Sequence, residues 1–187
     1  ANAVSMGADS SYDYTGTYGD GIVEFDKNGE IIWQWRFLDH VVQDRNPEWP
    51  NYVGEGKSIS DYPHKVDMHW LTDQNRMDKV REGITEDWQH TNSLDYNPET
   101  GHIAINARNW SEFYVVDHDA TFVANDPEKG TAIAAGDMGD IIYRFGNPAA
   151  YAQGEAPGFV DEGDQQIYGA HNIHWIPEGR PGAGNFL

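Results

Sequence analysis

The chain has 187 residues, 39% of them hydrophobic and 13% aromatic, enough for one domain with a real core and too apolar for a disordered segment. With 12 lysines and arginines against 31 aspartates and glutamates, its formal net charge of −19 argues against nucleic acid or an anionic membrane as partner. The absence of cysteine removes thiol nucleophiles, disulfides and thiolate metal sites.

No apolar run approaches the length of a membrane span. The chain starts at Ala1 without a basic-then-apolar leader, which reads as a signal peptide absent or already removed. Residues 1–19 are small and polar and read as an N-terminal arm. Gly21–Phe25 and Glu30–Trp35 then flank Asp26-Lys27-Asn28-Gly29, and an Asn-Gly turn between β-rich runs predicts a hairpin. From 39 to 86 the rhythm breaks: Pro47, Pro50, Pro63, Gly54 and Gly56 mark a long inter-strand insertion, with a short helical turn expected over Asp78–Glu86.

Strand-like runs resume at Asn92–Tyr96, His102–Ala107, Glu112–Val116 and, after a Gly/Ala/Asp loop, Asp140–Phe145; another start follows over His171–Ile176. Two echoes run through the chain. Ile31-Ile32-Trp33-Gln34-Trp35 matches Ile141-Ile142-Tyr143-Arg144-Phe145, and Met68-His69-Trp70-Leu71 matches Ile173-His174-Trp175-Ile176. Short strands recurring about four to a unit predict an all-β, propeller-like fold over 20–187, with 90–145 as one complete blade. Trp33, Trp35, Trp70, Trp88 and Trp175 read as packing residues of that fold.

Two segments concentrate donor side chains: Asp87-Trp88-Gln89-His90-Thr91-Asn92-Ser93, and Gly169-Ala170-His171-Asn172, with Arg108 between them. Two imidazoles, a guanidinium and an amide form the donor set that chemistry on a tetrahedral oxyanion, sulfate or phosphate, requires. Each has a plainer reading as well. His171 caps a strand, Arg108 makes a salt bridge to one of many carboxylates, and Asn92 bonds its own turn. Asp39-His40 is open to a metal, an acid/base or a surface role, His102 and His118 read as solvated beside turns, and His64, Asp67 and His69 form only a weak metal signal.

The runs Trp33-Gln34-Trp35 to Leu38-Asp39-His40, Asp87-Trp88-Gln89-His90-Thr91-Asn92-Ser93 with Asn97-Pro98, Arg144-Phe145-Gly146-Asn147-Pro148, and His171 through Ile176-Pro177-Glu178-Gly179 to Asn185 resemble the bacterial arylsulfate sulfotransferase family. The resemblance covers roughly residues 20–187. It implies a six-bladed β-propeller, about half of which this length supplies, so that the rest of the ring or further copies of the chain are expected as partners. It also implies a periplasmic or extracellular protein that moves a sulfuryl group from an aryl sulfate to a phenol through a sulfated histidine, with no soluble carrier cofactor and no metal.

Position by position, His171 matches the histidine that accepts the sulfuryl group, His90 and Asn92 match the His-x-Asn pair lining the site, and Arg108 matches the arginine that grips the sulfate oxygens. One position departs: Val66 stands where the family's best-studied branch carries another site histidine before an aspartate, here Asp67. Phe37-Leu38-Asp39-His40 resembles a less characterised branch. The competing function is a non-catalytic extracellular propeller serving as an adhesion, matrix or appendage component, a reading that Val66 and the chain length favour.

Overall fold

A computed structural model describes residues 19–70, 87–156 and 163–187. The arm over 1–18 and the helical turn expected over Asp78–Glu86 lie outside the described residues. The first hairpin pairs β1 (Gly21–Phe25) antiparallel with β2 (Ile31–Arg36). Its turn is held by one carboxylate: Asp26 Oδ1 accepts from the Asn28 and Glu30 amides at 2.8 and 2.9 Å, and Gly29 supplies the φ of +87° that closes it. These bonds hold the Asp26 carboxyl below its ordinary value.

Alternation along β2 sends Trp33 and Trp35 inward, where both are buried. Each indole N–H finds a partner: Trp33 donates to Thr121 Oγ1 (3.1 Å) and Trp35 to the Gly139 carbonyl (2.7 Å). Burying two such rings contributes roughly 4–6 kcal/mol each before entropy is counted.

The stretch expected as an insertion carries its own pairing. β3 (Val41–Val42) runs parallel to β4 (Val66–Asp67), bringing Val41 and Val66 into the main core. Between residues 90 and 145 lies one antiparallel four-stranded sheet in chain order: β5 (Thr91–Asn97), β6 (His102–Ala107), β7 (Glu112–Asp117) and β8 (Tyr143–Phe145). The Gly/Ala/Asp loop expected before β8 contains a helix instead, α1 (Pro127–Ala134). Asp126 caps it by accepting from the Lys129 amide (3.0 Å), and Pro127 opens it, a start signal that the small residues around it obscured. A Cβ on Gly130 would come within 3.1 Å of the Val123 amide nitrogen, so any larger residue there would push the helix and the 121–123 backbone slightly apart.

The strand expected over His171–Ile176 is reduced to a single bridge, Trp175 opposite Phe186, closed by a reciprocal pair of bonds between His174 and Leu187. Gly169 and Asn172, at φ +56° and +62°, bend the backbone on either side of His171 and prevent a longer strand. Among the described residues, no helix is long and apolar enough to cross a membrane.

The β5–β8 sheet has two occupied faces. Ile103, Ile105 and Ala107 of β6, with Tyr114 and Val116 of β7, turn toward the core that contains Trp33, Trp35, Val41 and Val66. The alternate residues Asn106, Phe113, Tyr143 and Phe145 turn toward the 163–187 segment.

Candidate active site

The second face carries the polar cluster. β5 begins with a bulge: Thr91 pairs with Ala107 and Ser93 with Asn106, which leaves Asn92 as the extra residue. The bulge aims Asn92 at the 170–175 backbone alongside Ser93 and Asp95. Asn92 Nδ2 donates to the Ala170 carbonyl (2.9 Å), Ser93 Oγ accepts from the Ile173 amide (3.0 Å), and Asp95 Oδ2 accepts from the Trp175 amide (2.9 Å). Three side chains thus replace the ladder that this segment lacks.

Asn106, only 1% exposed, completes the arrangement. Its Nδ2 donates to Asn92 Oδ1 (2.8 Å) and to the Ala170 carbonyl (2.6 Å). The peptide before His171 is therefore gripped by two amides, and Asn92 is itself oriented by the second. Sequence reading missed Asn106. The signal was available in its position two residues before Arg108 in an otherwise apolar strand, where a buried amide must have partners.

His90 and His171 meet as rings, with centroids 6.3 Å apart and planes at 68°. His90 sits at φ +52°, and its Nδ1 is bonded to the Asp87 carboxylate. The turn that holds it is tied to the next strand end: the Arg108 amide donates to the His90 carbonyl (3.3 Å), the Asn109 amide to the Gln89 carbonyl (3.1 Å), and Asn109 Nδ2 to the Asp87 carbonyl (2.7 Å). Arg108 opens the 3₁₀ turn Arg108–Trp110 and is exposed. It pairs with no carboxylate among the described residues, and Nη1 donates to Asn109 Oδ1 (3.2 Å). Its Nε lies 3.9 Å from where a Cβ on Gly169 would stand, so the guanidinium borders the backbone leading to His171. All four sequence-derived residues belong to this one neighbourhood: two rings in contact, one amide on the peptide before His171, one arginine beside it.

Next to them opens a cavity of about 370 Å³ lined by Asn106, Phe113, Tyr143, Phe145, Phe186 and His171, among others. Phe186 lies parallel to Tyr143, 6.0 Å between centroids, and 4.7 Å from Phe113. A planar aromatic molecule matches such walls.

Of the remaining histidines, His40 and His118 are held in the packing. His40, read as a surface, metal or acid/base residue, is fully buried: it stacks on Trp35 (4.9 Å, 9°), and its Nδ1 meets Asp140 Oδ1 at 2.8 Å. Asp39 does not share that pair; it accepts from Arg36 Nε (2.8 Å). His118, expected in solvent, bridges Glu24 and Asp119 at 2.8 Å each and packs against Trp33 and Phe122. Asp67 turns its Oδ1 to the His69 amide (2.8 Å) rather than outward beside His64. His102 is half-exposed, 3.9 Å from Asp117.

Compared with known proteins, residues 2–180 match the model of the Arylsulfotransferase (ASST) family. No curated protein and no solved structure matches the chain.

Proposed function

Because the chain belongs to the arylsulfotransferase (ASST) family, we propose that it transfers a sulfuryl group between phenolic compounds, with His171 as the acceptor of a transient N-sulfo group and the β5–β8 sheet as one blade of a propeller. The observation that carries this reading is the contact of His171 with His90 beside an aromatic cavity that His171 lines, next to an arginine that pairs with no carboxylate among the described residues. A neutral imidazole attacks sulfur, the aryl oxygen leaves, and a second phenol collects the group, which divides one hard step into two. Charge spreads over the sulfuryl oxygens in both steps, and the Arg108 guanidinium, which borders the backbone leading to His171, is the donor assigned to meet it. The aromatic walls hold the aryl part. Export to the periplasm or the extracellular space goes with this reading.

Asn92 takes a different part from the one its motif implies. Its Nδ2 donates to the Ala170 carbonyl and its Oδ1 accepts from Asn106, so we assign it to shaping the backbone before His171.

One observation favours the non-catalytic reading. Val66 is 0% exposed and pairs with Val41 inside the core, so its position offers no donor to a sulfate. One experiment separates the two. The full-length protein, incubated with an aryl sulfate and no acceptor, is expected to gain one sulfuryl group on His171, located by peptide mass spectrometry, and to release one phenol. His171→Ala is expected to abolish both. No adduct and no phenol release across a panel of aryl sulfates would leave the scaffold reading standing.

A further inference from the structure

Asp87 has no part in the reading above, yet the turn that brings it to His90 is specifically built. His90 occupies the left-handed region, which costs a non-glycine residue about 1–2 kcal/mol and persists only where surrounding contacts impose it. Here they do: the Arg108 and Asn109 amides hold the carbonyls of His90 and Gln89, and the Asn109 side chain holds the carbonyl of Asp87. The product of that strain is one contact, the Asp87 carboxylate on His90 Nδ1.

We infer that Asp87 is a positioning residue that fixes His90 in the Nδ1–H tautomer, leaving Nε2 as the base for the acceptor phenol, with Asn109 as the brace that holds Asp87. The inference rests on the sulfotransfer reading of the site. A carboxylate that accepts from one ring nitrogen decides which nitrogen carries the hydrogen. With Nδ1 committed, Nε2 carries the free lone pair. The other charged or titratable groups about His90 are His171, ring to ring; Arg108, whose amide holds the His90 carbonyl; and Asp20, whose Oδ2 accepts from the next amide, Thr91, at 2.6 Å. None of these is bonded to the His90 ring among the described residues, so Asp87 alone sets its tautomer.

The step balances. The acceptor's O–H proton passes to His90 Nε2, the phenol oxygen forms its bond to sulfur, the N–S bond to His171 breaks, and its electron pair stays on the His171 nitrogen. In the donor half-reaction the same proton leaves His90 for the departing aryl oxygen as the donor's S–O bond breaks and the N–S bond forms. No external acid, base or redox partner is needed.

The test uses full-length protein labelled with ¹⁵N-histidine, the His90 signals being assigned by their loss in His90→Gln. The neutral His90 ring is expected to be the Nδ1–H tautomer, and in Asp87→Asn to change to Nε2–H because the amide can donate to Nδ1. In the same variant, transfer from sulfated His171 to unsubstituted phenol is expected to fall about a hundredfold in kcat, the usual contribution of a general base. Sulfation by nitrophenyl sulfate, whose leaving group needs little protonation, is expected to fall far less, and Asp87→Glu to recover part of the acceptor half-reaction. A wild-type Nε2–H tautomer, a tautomer unchanged in Asp87→Asn, or an equal loss in both half-reactions would overturn the assignment while leaving sulfotransfer intact. Absence of the adduct in wild-type protein would instead overturn the sulfotransfer reading, and the tautomer measurement would still decide the role of Asp87.

Discussion

The two faces of the β5–β8 sheet hold the same kinds of residue and use them in opposite ways. On the core face, Arg144 has every guanidinium nitrogen engaged: Nε and Nη2 meet Glu112, Nη1 donates to the Pro63 and Lys65 carbonyls at 3.1 and 2.9 Å, and the guanidinium packs on the rings of Tyr114 and Tyr151. Close by, the Asp140 carboxylate meets both His40 Nδ1 and the Lys65 ammonium at 2.8 Å. On the opposite face, the Arg108 side chain bonds only Asn109 among the described residues, and the His90–His171 pair is open to solvent. Glu112 of the buried clamp pairs directly with Ala107, between Asn106 and Arg108 of the open cluster. Residue type therefore does not separate scaffold from site; saturation of donors does. A buried guanidinium with each of its three nitrogens engaged has little to offer a ligand.

The sharpest way to break this comparison is to remove one arginine from each face. Arg144→Ala leaves the Glu112 carboxylate buried without its partner, and is expected to cost about 3–5 kcal/mol in urea unfolding or to prevent folding. Burial already pushes the Glu112 carboxyl up from its ordinary value, with Arg144 opposing that rise. Arg108→Ala, on an exposed side chain, is expected to change stability by less than about 0.5 kcal/mol and to slow sulfuryl transfer about a hundredfold. Equal destabilisation by the two would mean that the open face is scaffold too.

The same contrast marks what could be read from the sequence. The hairpin was legible because Asn28-Gly29 permits few alternatives, and the four strands between 90 and 145 because turn residues separate their β-rich runs. The site residues were legible as motif members, but their supports were not. Asn106 looks like a polar interruption of a strand until alternation along β6 turns it toward Ala170 and the bulge in β5 brings Asn92 beside it. Asp87 looks like surface charge until the left-handed turn at His90 brings its carboxylate to the ring. His40 and His118 were misplaced because their burial depends on residues 100 and 94 positions away, Asp140 and Glu24, and no local pattern encodes such pairing. Helix α1 was hidden because glycine and alanine leave no apolar stripe.

A smaller effect sharpens the comparison through pH. Partial burial works against the Asp140 charge, yet hydrogen bonds from His40 and Lys65, with the Lys65 charge, hold its carboxyl below the ordinary 3.8. His64 Nε2 lies 3.7 Å from the same carboxylate, and Asp137 stands 3.8 Å from the Lys65 ammonium. A folded-state value below the unfolded one means that this stabilisation is present above about pH 4 and is lost as pH falls through the lower folded value. Asp140→Asn is expected to cost about 1–3 kcal/mol at pH 7, where charge-assisted bonds are lost, and progressively less in unfolding curves taken at or below pH 3. A penalty independent of pH would show that shape rather than charge holds the clamp.

The smallest effect lies between Asn92 and Asn106, and it tests whether the open face has any cooperative structure of its own. Asn106 donates to both Asn92 and the Ala170 carbonyl, and Asn92 donates to that same carbonyl, so each amide depends on the other. In a double-mutant cycle, Asn92→Ala and Asn106→Ala are expected to be non-additive in unfolding free energy by about 0.5–1 kcal/mol, since either change leaves the other amide with one fewer partner. Asn106→Ala paired with Lys65→Ala, one residue from each face and with no shared partner, is expected to be additive within about 0.5 kcal/mol. Additivity in the first cycle would mean that the peptide before His171 is not held by a network. Coupling in the second would mean that the buried clamp and the open cluster are one system communicating through the β6–β7 pairing, and that the sheet does not insulate its two faces.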